Sequence, residues 1–201
     1  QIISDITEPG TIALNQWVED GAGNFTLTIQ PDAAVVRNIS GSTAGGLIRL
    51  NGADRVTIDG RFNGSGNYLT IQNTNAATST AAIHLVSIGV GAGATNNTIR
   101  NCIIKAGTNS VASSFGIYVG GATVSTTGSG ADNNNITISN NIISKCRFGI
   151  YLRGTSGNPL LNLLITGNTI GSSNSDDYIT EYGLNLQAAA APQVTYNEVL
   201  S

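Results

Sequence analysis

Five residues with side chains suited to ligand contact recur along the chain at a nearly constant interval. The steps from residue 49 to residues 84, 118, 151 and 185 are 35, 34, 33 and 34 residues, and the set is Arg49, His84, Tyr118, Tyr151 and Asn185. Aromatic rings stack on the faces of sugar rings, and polar groups beside them bond to hydroxyls. These five residues are therefore a candidate carbohydrate-contact surface. The alternative is that the tyrosines stack on each other and stabilise a sheet.

His84 is the single histidine of the chain and the one candidate general base in this set. A general base works with a nucleophile or an orienting carboxylate, and neither type of residue occurs at the equivalent places of the set. We therefore predict that His84 is an exposed member of the set and not a catalytic group.

A second group of charged residues lies between positions 145 and 181 and consists of Lys145, Arg147, Arg153, Asp176, Asp177 and Glu181. Such a mixed group could hold an acidic sugar or a cation, with calcium as the candidate ion. It could equally be solvated charge at the ends of loops, and no dedicated metal site is predicted. Elsewhere, Asp59 and Arg100 would lie one repeat apart and are predicted to form a surface ion pair.

The recurring residues belong to a repeated strand pattern. Three segments, starting at Phe115, Phe148 and Tyr182, each contain a ring residue, a glycine and alternating apolar residues. Two weaker copies surround Arg49 and His84. Two further β-like runs, joined by a turn that contains Asn, follow in each period, so a period holds three strands. Such short strands cannot bury an apolar face alone and must stack.

The repeat predicts an all-β fold, a right-handed parallel β-helix in the form of a three-sided solenoid, with about five coils of roughly 34 residues. Each strand would pair with its equivalent in the next coil, and alternation would turn the five recurring residues outwards. Residues 1–201 are predicted to form one domain and to be a segment of a longer chain. Residues 1–24 would be an irregular entry or first coil, and residues 25–201 the regular coils.

Asparagines at the turns between the second and third strands are predicted to be structural. Asn141, Asn168 and Asn197, with Cys102 at the matching place, would form an inward ladder that satisfies buried backbone groups. Cys146 lies five residues beyond Asn141, roughly 16 Å along a strand, which is outside disulfide reach of Cys102. Both cysteines are predicted to be free thiols in or near the core.

The composition fits a turn-rich β protein. Hydrophobic residues make up 40% and aromatic residues 5% of the chain, which contains 25 glycines, so neither disorder nor a helical fold is expected. The net charge of −3 leaves no basic surface for nucleic acid. No apolar run approaches the roughly 20 residues of a membrane-spanning helix, so membrane insertion is not expected. The absence of methionine suits a protein outside the cytoplasm.

The strand signature resembles that of the pectate-lyase-like superfamily of right-handed parallel β-helices. The resemblance rests on the Gly-apolar-x-apolar strands and the x-x-Ile-x-x-Asn-x-Ile turn pair, and it covers nearly the whole chain from Phe25 onwards. The run from Asn51 to Arg61 resembles the opening coil of β-helix modules in large bacterial secreted and cell-surface proteins, often exported by type IX secretion. The resemblance implies an extracellular or cell-surface location in a bacterium. It also places any polysaccharide groove on the outer face of the first sheet.

Enzymes of this superfamily provide the main alternative function. Its lyases bind calcium through clustered carboxylates on the first sheet, whereas the five recurring residues include one arginine and no carboxylate. Its hydrolases carry an Asp-Asp pair just after a first-sheet strand, together with Gly-His-Gly and Arg-x-Lys motifs. Here Asp176 and Asp177 precede the strand, and the other two motifs are absent. The resemblance therefore transfers no catalytic residue to this chain.

The sequence predicts a non-catalytic extracellular β-helix module that acts as a stalk or adhesin segment of a large surface or secreted protein. The five recurring residues are its candidate carbohydrate contact, with sheet stabilisation as the favoured alternative. One alternative is a polysaccharide lyase or glycoside hydrolase. Another is a self-assembling fibre subunit, because solenoid ends without polar caps expose unpaired strands. The expected partners are polysaccharide or cell-surface glycan, other domains of the same chain and further copies of it. No cofactor is expected.

Overall fold

A computed structural model describes residues 1–110 and 113–200 as a parallel β-solenoid of about six turns. The strands in chain order are β1 (Ile6–Thr7), β2 (Leu14–Asn15), β3 (Leu27–Ile29), β4 (Arg37–Gly41), β5 (Gly45–Asn51), β6 (Val56–Asp59), β7 (Leu69–Asn73), β8 (Thr80–Val86), β9 (Thr98–Arg100), β10 (Cys102–Lys105), β11 (Ser114–Gly120), β12 (Thr137–Ser139), β13 (Ile142–Ser144), β14 (Cys146–Arg153), β15 (Leu160–Leu161), β16 (Leu164–Thr166), β17 (Thr169–Ile170), β18 (Ile179–Gln187), β19 (Ala189–Ala190), β20 (Gln193–Thr195) and β21 (Glu198–Val199). A short 3-10 helix spans Ser175–Asp177.

Three long sheets contain nearly all of these strands. The first sheet has the order β2-β5-β8-β11-β14-β18, the second β3-β6-β9-β12-β16-β20 and the third β1-β4-β7-β10-β13-β17-β21, while β15 pairs with β19. Neighbouring strands are parallel and come from successive coils. The predicted all-β parallel solenoid is therefore confirmed, and the coil length of about 33 residues agrees with the predicted period.

The structure contains one more coil than the five predicted. In residues 1–24, expected to be an irregular entry or first coil, Ile6 pairs with Ile39 and Leu14 pairs with Leu50. The strands β1 and β2 are two residues long and lack the Gly-apolar signature. Strands this short give no recognisable repeat in the sequence. Their membership of a coil becomes apparent only from their pairing with the next coil.

One apolar core runs along the solenoid. The inward residues of the first sheet, such as Ile83, Ile117 and Ile150, are fully buried and lie opposite one another in successive coils. The second sheet contributes Ile58 and Ile99 to the same core. Burial of one such side chain contributes about 1.5 to 3 kcal/mol, so the stack of coils is what makes each short strand stable.

The predicted asparagine ladder is confirmed. The side-chain oxygen of Asn141 accepts the backbone N–H of Cys102, that of Asn168 accepts the N–H of Asn141, and that of Asn197 accepts the N–H of Asn168, each at 3.0 Å. Each side-chain amide also donates to a strand carbonyl of the preceding coil; the acceptors are Ile99, Ile138 and Ile165. Each of these asparagines thus satisfies a buried backbone N–H and a buried carbonyl of the preceding coil at once.

The two cysteines are free and buried, as predicted. Burial raises the pKa of the Cys146 thiol to about 12, and burial also raises the pKa of the Cys102 thiol. Both side chains belong to the apolar core and act there as small hydrophobic groups. In the part of the chain that the structure describes, no helix combines the length and apolar character needed to span a bilayer.

Candidate functional site

The five recurring residues form one column on the first sheet, which we call the outward column. Parallel pairing sets Arg49 opposite His84, His84 opposite Tyr118, Tyr118 opposite Tyr151, and Tyr151 opposite Asn185. The three central side chains are nevertheless buried, with exposed fractions of 1% for His84, 0% for Tyr118 and 2% for Tyr151. The prediction that His84 is exposed is therefore wrong. Arg49 and Asn185, at the two ends, are partly buried.

Residues 121–130, the covering loop, bury the outward column. His84 Nε2 lies 2.9 Å from the carbonyl oxygen of Gly121, and Tyr151 Oη donates to the carbonyl of Thr126 at 2.8 Å. Tyr118 Oη donates to the carbonyl of Gly128. The covering loop lacks regular strands and follows β11 directly, so alternation within the strands gave no sign that it folds back over them.

A break in strand alternation brings more rings to the outer face than sequence reasoning predicted. In β8, the consecutive residues Ala82 and Ile83 both belong to the main core. Gly116 takes the place of Ala82 in β11, and a Cβ built there would lie 2.6 Å from Ile143 Cγ2. Because the successive residues Gly116 and Ile117 both face inward, the residues on either side of them, Phe115 and Tyr118, both lie on the outer face. The ring residue before each glycine was the sequence signal for this arrangement.

The rings pack as a small second core outside the sheet. Phe115 and Phe148 stack with centroids 4.8 Å apart, and Tyr118 and Tyr151 stack at 6.0 Å. Val124 of the covering loop belongs to the same buried cluster. Offset stacking adds roughly 0.5 to 1.5 kcal/mol per pair beyond the area buried. The faces of these rings therefore pack against one another and against the covering loop. This arrangement matches the alternative in which the tyrosines stabilise the sheet.

The hydrogen bonds of His84 define its protonation state. Its Nε2 faces a carbonyl oxygen, which can only accept, so Nε2 carries the proton. Burial lowers the pKa of His84 to about 4, opposed by the hydrogen bond to Gly121 and assisted by the charge of Arg49. The neutral ring presents Nδ1 as an acceptor, and this buried atom has no partner among the residues described. His84 is thus held as a neutral donor to the covering loop.

Tyr118 is held in a similar way by the covering loop. Burial raises the pKa of its hydroxyl to about 12, so the phenol stays protonated and donates to the loop carbonyl. Arg153, two residues beyond Tyr151, donates from Nη1 to the carbonyl of Thr126 at 2.7 Å. Four side chains of the first sheet, those of His84, Tyr118, Tyr151 and Arg153, thereby fix the backbone of the covering loop.

The structure places Arg153 apart from the rest of the second charged group. Arg147 pairs with Glu181 at one end of β14, whereas Arg153 lies at the other end, roughly 20 Å along the strand. Lys105 Nζ contacts Asp177 Oδ2 at 2.9 Å, and Asp176 is exposed in the 3-10 helix. The backbone N–H of Lys145 donates to the carbonyl of Asp177. Most of these charges are therefore separate loop contacts.

The predicted ion pair between Asp59 and Arg100 on the second sheet is confirmed, and a second arginine, Arg61, also binds Asp59. Asp59 Oδ2 lies 2.9 Å from Nη2 of Arg100 and 2.9 Å from Nη2 of Arg61. Burial of Asp59 opposes its ionisation, but the hydrogen bonds from Arg61 and Arg100 outweigh burial and lower its pKa. Within residues 1–110 and 113–200, no three His, Cys, Asp or Glu side chains are grouped so that they could hold a metal ion.

One polar pocket opens where the outward column ends. It has a volume of about 410 Å³ and lies at the carboxyl ends of β14 and β18. Arg153 and Gln187, which pair in register, line it together with Ser129, Thr155 and Ser156. Of the secondary candidates named from the sequence, only Arg153 lines this pocket.

Comparison with known proteins yields no relative: no family model, no curated protein and no solved structure matches this chain.

Proposed function

We propose that this chain is a non-catalytic β-helix module of the pectate-lyase-like type, serving as a rigid stalk segment of a large secreted or cell-surface protein. The observation that carries the proposal is the burial of the three central side chains of the outward column. The face that an enzyme of this type would offer to a polysaccharide is buried beneath the covering loop. His84, Tyr118 and Tyr151 each hydrogen-bond to that loop.

The charged side chains support the same proposal. A general base must reach the proton that it abstracts, and a nucleophile must be oriented by a neighbour. Asp59 is held between two arginines, and Glu181 is paired with Arg147. His84 is neutral and buried against a backbone carbonyl. These groups stabilise contacts between successive coils or between loops, which is the role expected in a rigid spacer.

The extracellular location is part of the proposal and rests on the composition and on the resemblance of residues 51–61 to modules of secreted bacterial proteins. A stalk needs a shape that persists without a partner. The asparagine ladder and the continuous core supply cross-coil contacts along the axis. The adhesive role predicted from the sequence requires a ligand-accessible surface, which the outward column does not offer in this conformation.

The test is a turnover assay of the purified chain on a panel of acidic polysaccharides, with and without calcium. Unsaturated products and new reducing ends are followed, and we expect neither. Product formation that is lost in Arg49→Ala or Arg153→Ala would overturn the proposal in favour of a lyase or hydrolase. Analytical ultracentrifugation over a hundredfold concentration range should give one species. Filaments that lengthen with concentration would instead favour the fibre subunit.

A further inference from the structure

The covering loop is attached to the first sheet mainly by polar contacts. Four side chains of the sheet bond to its backbone carbonyls, and they are those of His84, Tyr118, Tyr151 and Arg153. Of the ten residues from 121 to 130, only Val124 has a large apolar side chain, and this side chain is buried. An element with so little apolar contact opens at a lower cost in free energy than the core strands do.

The two ends of the covering loop lie close together and form a narrow neck. A Cβ added at Gly120, just before the loop, would lie 2.6 Å from the carbonyl oxygen of Gly128. The neck is itself anchored, because Asn133 Nδ2 donates to the carbonyl of Gly120 at 3.0 Å and the N–H of Gly130 donates to the carbonyl of Arg153 at 2.9 Å. Loops whose ends meet in this way are compact surface units. The loop can therefore lift about its neck while the strands on either side stay in place.

His84 is the group beneath the loop that gains charge in acid. Its Nε2 donates to the carbonyl of Gly121, so a second proton goes to Nδ1, a buried atom without a partner among the residues described. The ionisable groups that face the ring are Arg49 from β5 and Tyr118 from β11. The covering loop has no ionisable side chain, and β8 has none besides His84. A protonated His84 would thus lie next to a second cation.

Water is what stabilises such a charge, and the covering loop excludes it. The side chain of His84 is 1% exposed, and burial lowers its pKa to about 4 from an ordinary value of 6.5. A lifted loop returns the ring to solvent, so the open form binds the proton more tightly than the closed form. By linkage, the ratio of open to closed loops rises roughly a hundredfold between pH 7.5 and pH 4.

We propose that the covering loop is an acid-opened lid, in which protonation of His84 at Nδ1 releases the loop and exposes the aromatic cluster beneath it. The rings of this cluster are those of Phe115, Tyr118, Phe148 and Tyr151. The strands stay paired, because the main apolar core lies on the other side of the sheet. This inference goes beyond the stalk function, since it gives the segment an apolar surface that forms only in acid.

The test is the binding of an anilinonaphthalene sulfonate dye to the whole chain at intervals from pH 7.5 to 4. Such dyes report exposed apolar surface, and far-UV circular dichroism follows the strands in parallel. We expect dye fluorescence to rise between pH 6.5 and 4 while the circular dichroism stays constant. His84→Gln keeps a donor for Gly121 and every carboxylate of the chain but takes up no proton, so it should show no rise.

Val124 provides a second variant that keeps His84. Val124→Ser removes the apolar anchor of the loop, which should favour the open form about tenfold and move the rise upwards by about one pH unit. Val90→Ser is the same change at a side chain that is 76% exposed. This matched control should follow the unaltered chain.

A rise of equal size in His84→Gln, or no rise in the unaltered chain, would overturn the proposal. A rise that coincides with loss of the strand signal would also overturn it, because the whole solenoid would then be unfolding. If His84→Gln does not fold, the comparison of Val124→Ser with Val90→Ser decides, and equal midpoints count against the lid. The turnover and ultracentrifugation assays are independent of these titrations, so failure of the stalk function and failure of the lid are distinguishable.

Discussion

The side-chain oxygen of Asn168 accepts two hydrogen bonds from Asn141, one from its backbone N–H and one from its side-chain amide, each 3.0 Å long. Asn168 is almost fully buried, and its own amide donates to the carbonyl of Ile138. One side chain therefore satisfies three groups of the preceding coil in a place that water does not reach.

Removal of this side chain should destabilise the solenoid more than removal of an asparagine whose side chain makes no hydrogen bond. Asn168→Ala leaves the N–H of Asn141 and the carbonyl of Ile138 buried without partners, at about 1 to 3 kcal/mol for each group. We expect the free energy of unfolding to fall by about 2 to 4 kcal/mol, measured by urea denaturation. Asn158→Ala is the control, because that side chain makes no hydrogen bond among the described residues. Equal losses for the two variants would contradict the ladder's role.

Gly116 is required by space rather than by backbone conformation. A Cβ at this position would lie 2.6 Å from Ile143 Cγ2 and 2.7 Å from the carbonyl oxygen of Gly149. Gly116→Ala should therefore cost about 1 to 3 kcal/mol of unfolding free energy, because the backbone of the next coil must move. At Gly157 an added Cβ meets nothing within 4 Å. Thermal denaturation should show Gly157→Ala within about 0.5 kcal/mol of the unaltered chain.

The thiols of Cys102 and Cys146 should be unreactive in the folded chain. Burial raises the pKa of Cys146 to about 12 and also raises the pKa of Cys102, so neither forms the thiolate that attacks a disulfide reagent at pH 8. We expect an aromatic disulfide reagent to label neither cysteine in buffer and both in denaturant. Ser173→Cys, at an exposed loop position, is the positive control and should react at once. Rapid labelling of the unaltered chain would show that the core opens.

His84 should make stability depend on pH in a narrow window. Its pKa is lowered from 6.5 to about 4 in the folded chain, so the unfolded chain binds more protons between these values. The stabilisation from a neutral His84 is complete above pH 6.5 and is lost as the pH falls towards 4, by at most about 3 kcal/mol. Asp59 has a lowered pKa, so the stability it contributes is lost below about pH 3.8, outside this window.

The measurement for this prediction is the free energy of unfolding at intervals from pH 7.5 to 4. His84→Gln keeps a donor for the carbonyl of Gly121 and removes the titrating group. We expect this variant to have a flatter profile between pH 6.5 and 4. An identical slope in both proteins would mean that His84 is not held neutral by burial.

Much of the fold could be predicted from the sequence because a solenoid is specified by local, repeated signals. The period near 34 residues, the inward isoleucines and the turn asparagines each act within one coil or between neighbours. The register of Arg49, His84 and Tyr118 followed from that period alone. Residues 1–24 could be predicted only as an irregular entry or first coil, because strands as short as Ile6–Thr7 become visible only through their partner.

The candidate site could likewise be predicted from the sequence only in part. The sequence by itself determined that the five recurring residues share the outer face of the first sheet, since alternation fixes direction. The break in alternation that adds Phe115 and Phe148 to this face came from the structure. The tertiary structure alone decided that this face is covered, because the covering loop returns over its own strand through contacts such as that of Tyr151 with Thr126. It also decided that Arg147 and Arg153 lie apart and that Arg153 meets Gln187 of the next coil at an open pocket. Loop paths depend on packing against distant residues, and no periodicity encodes them.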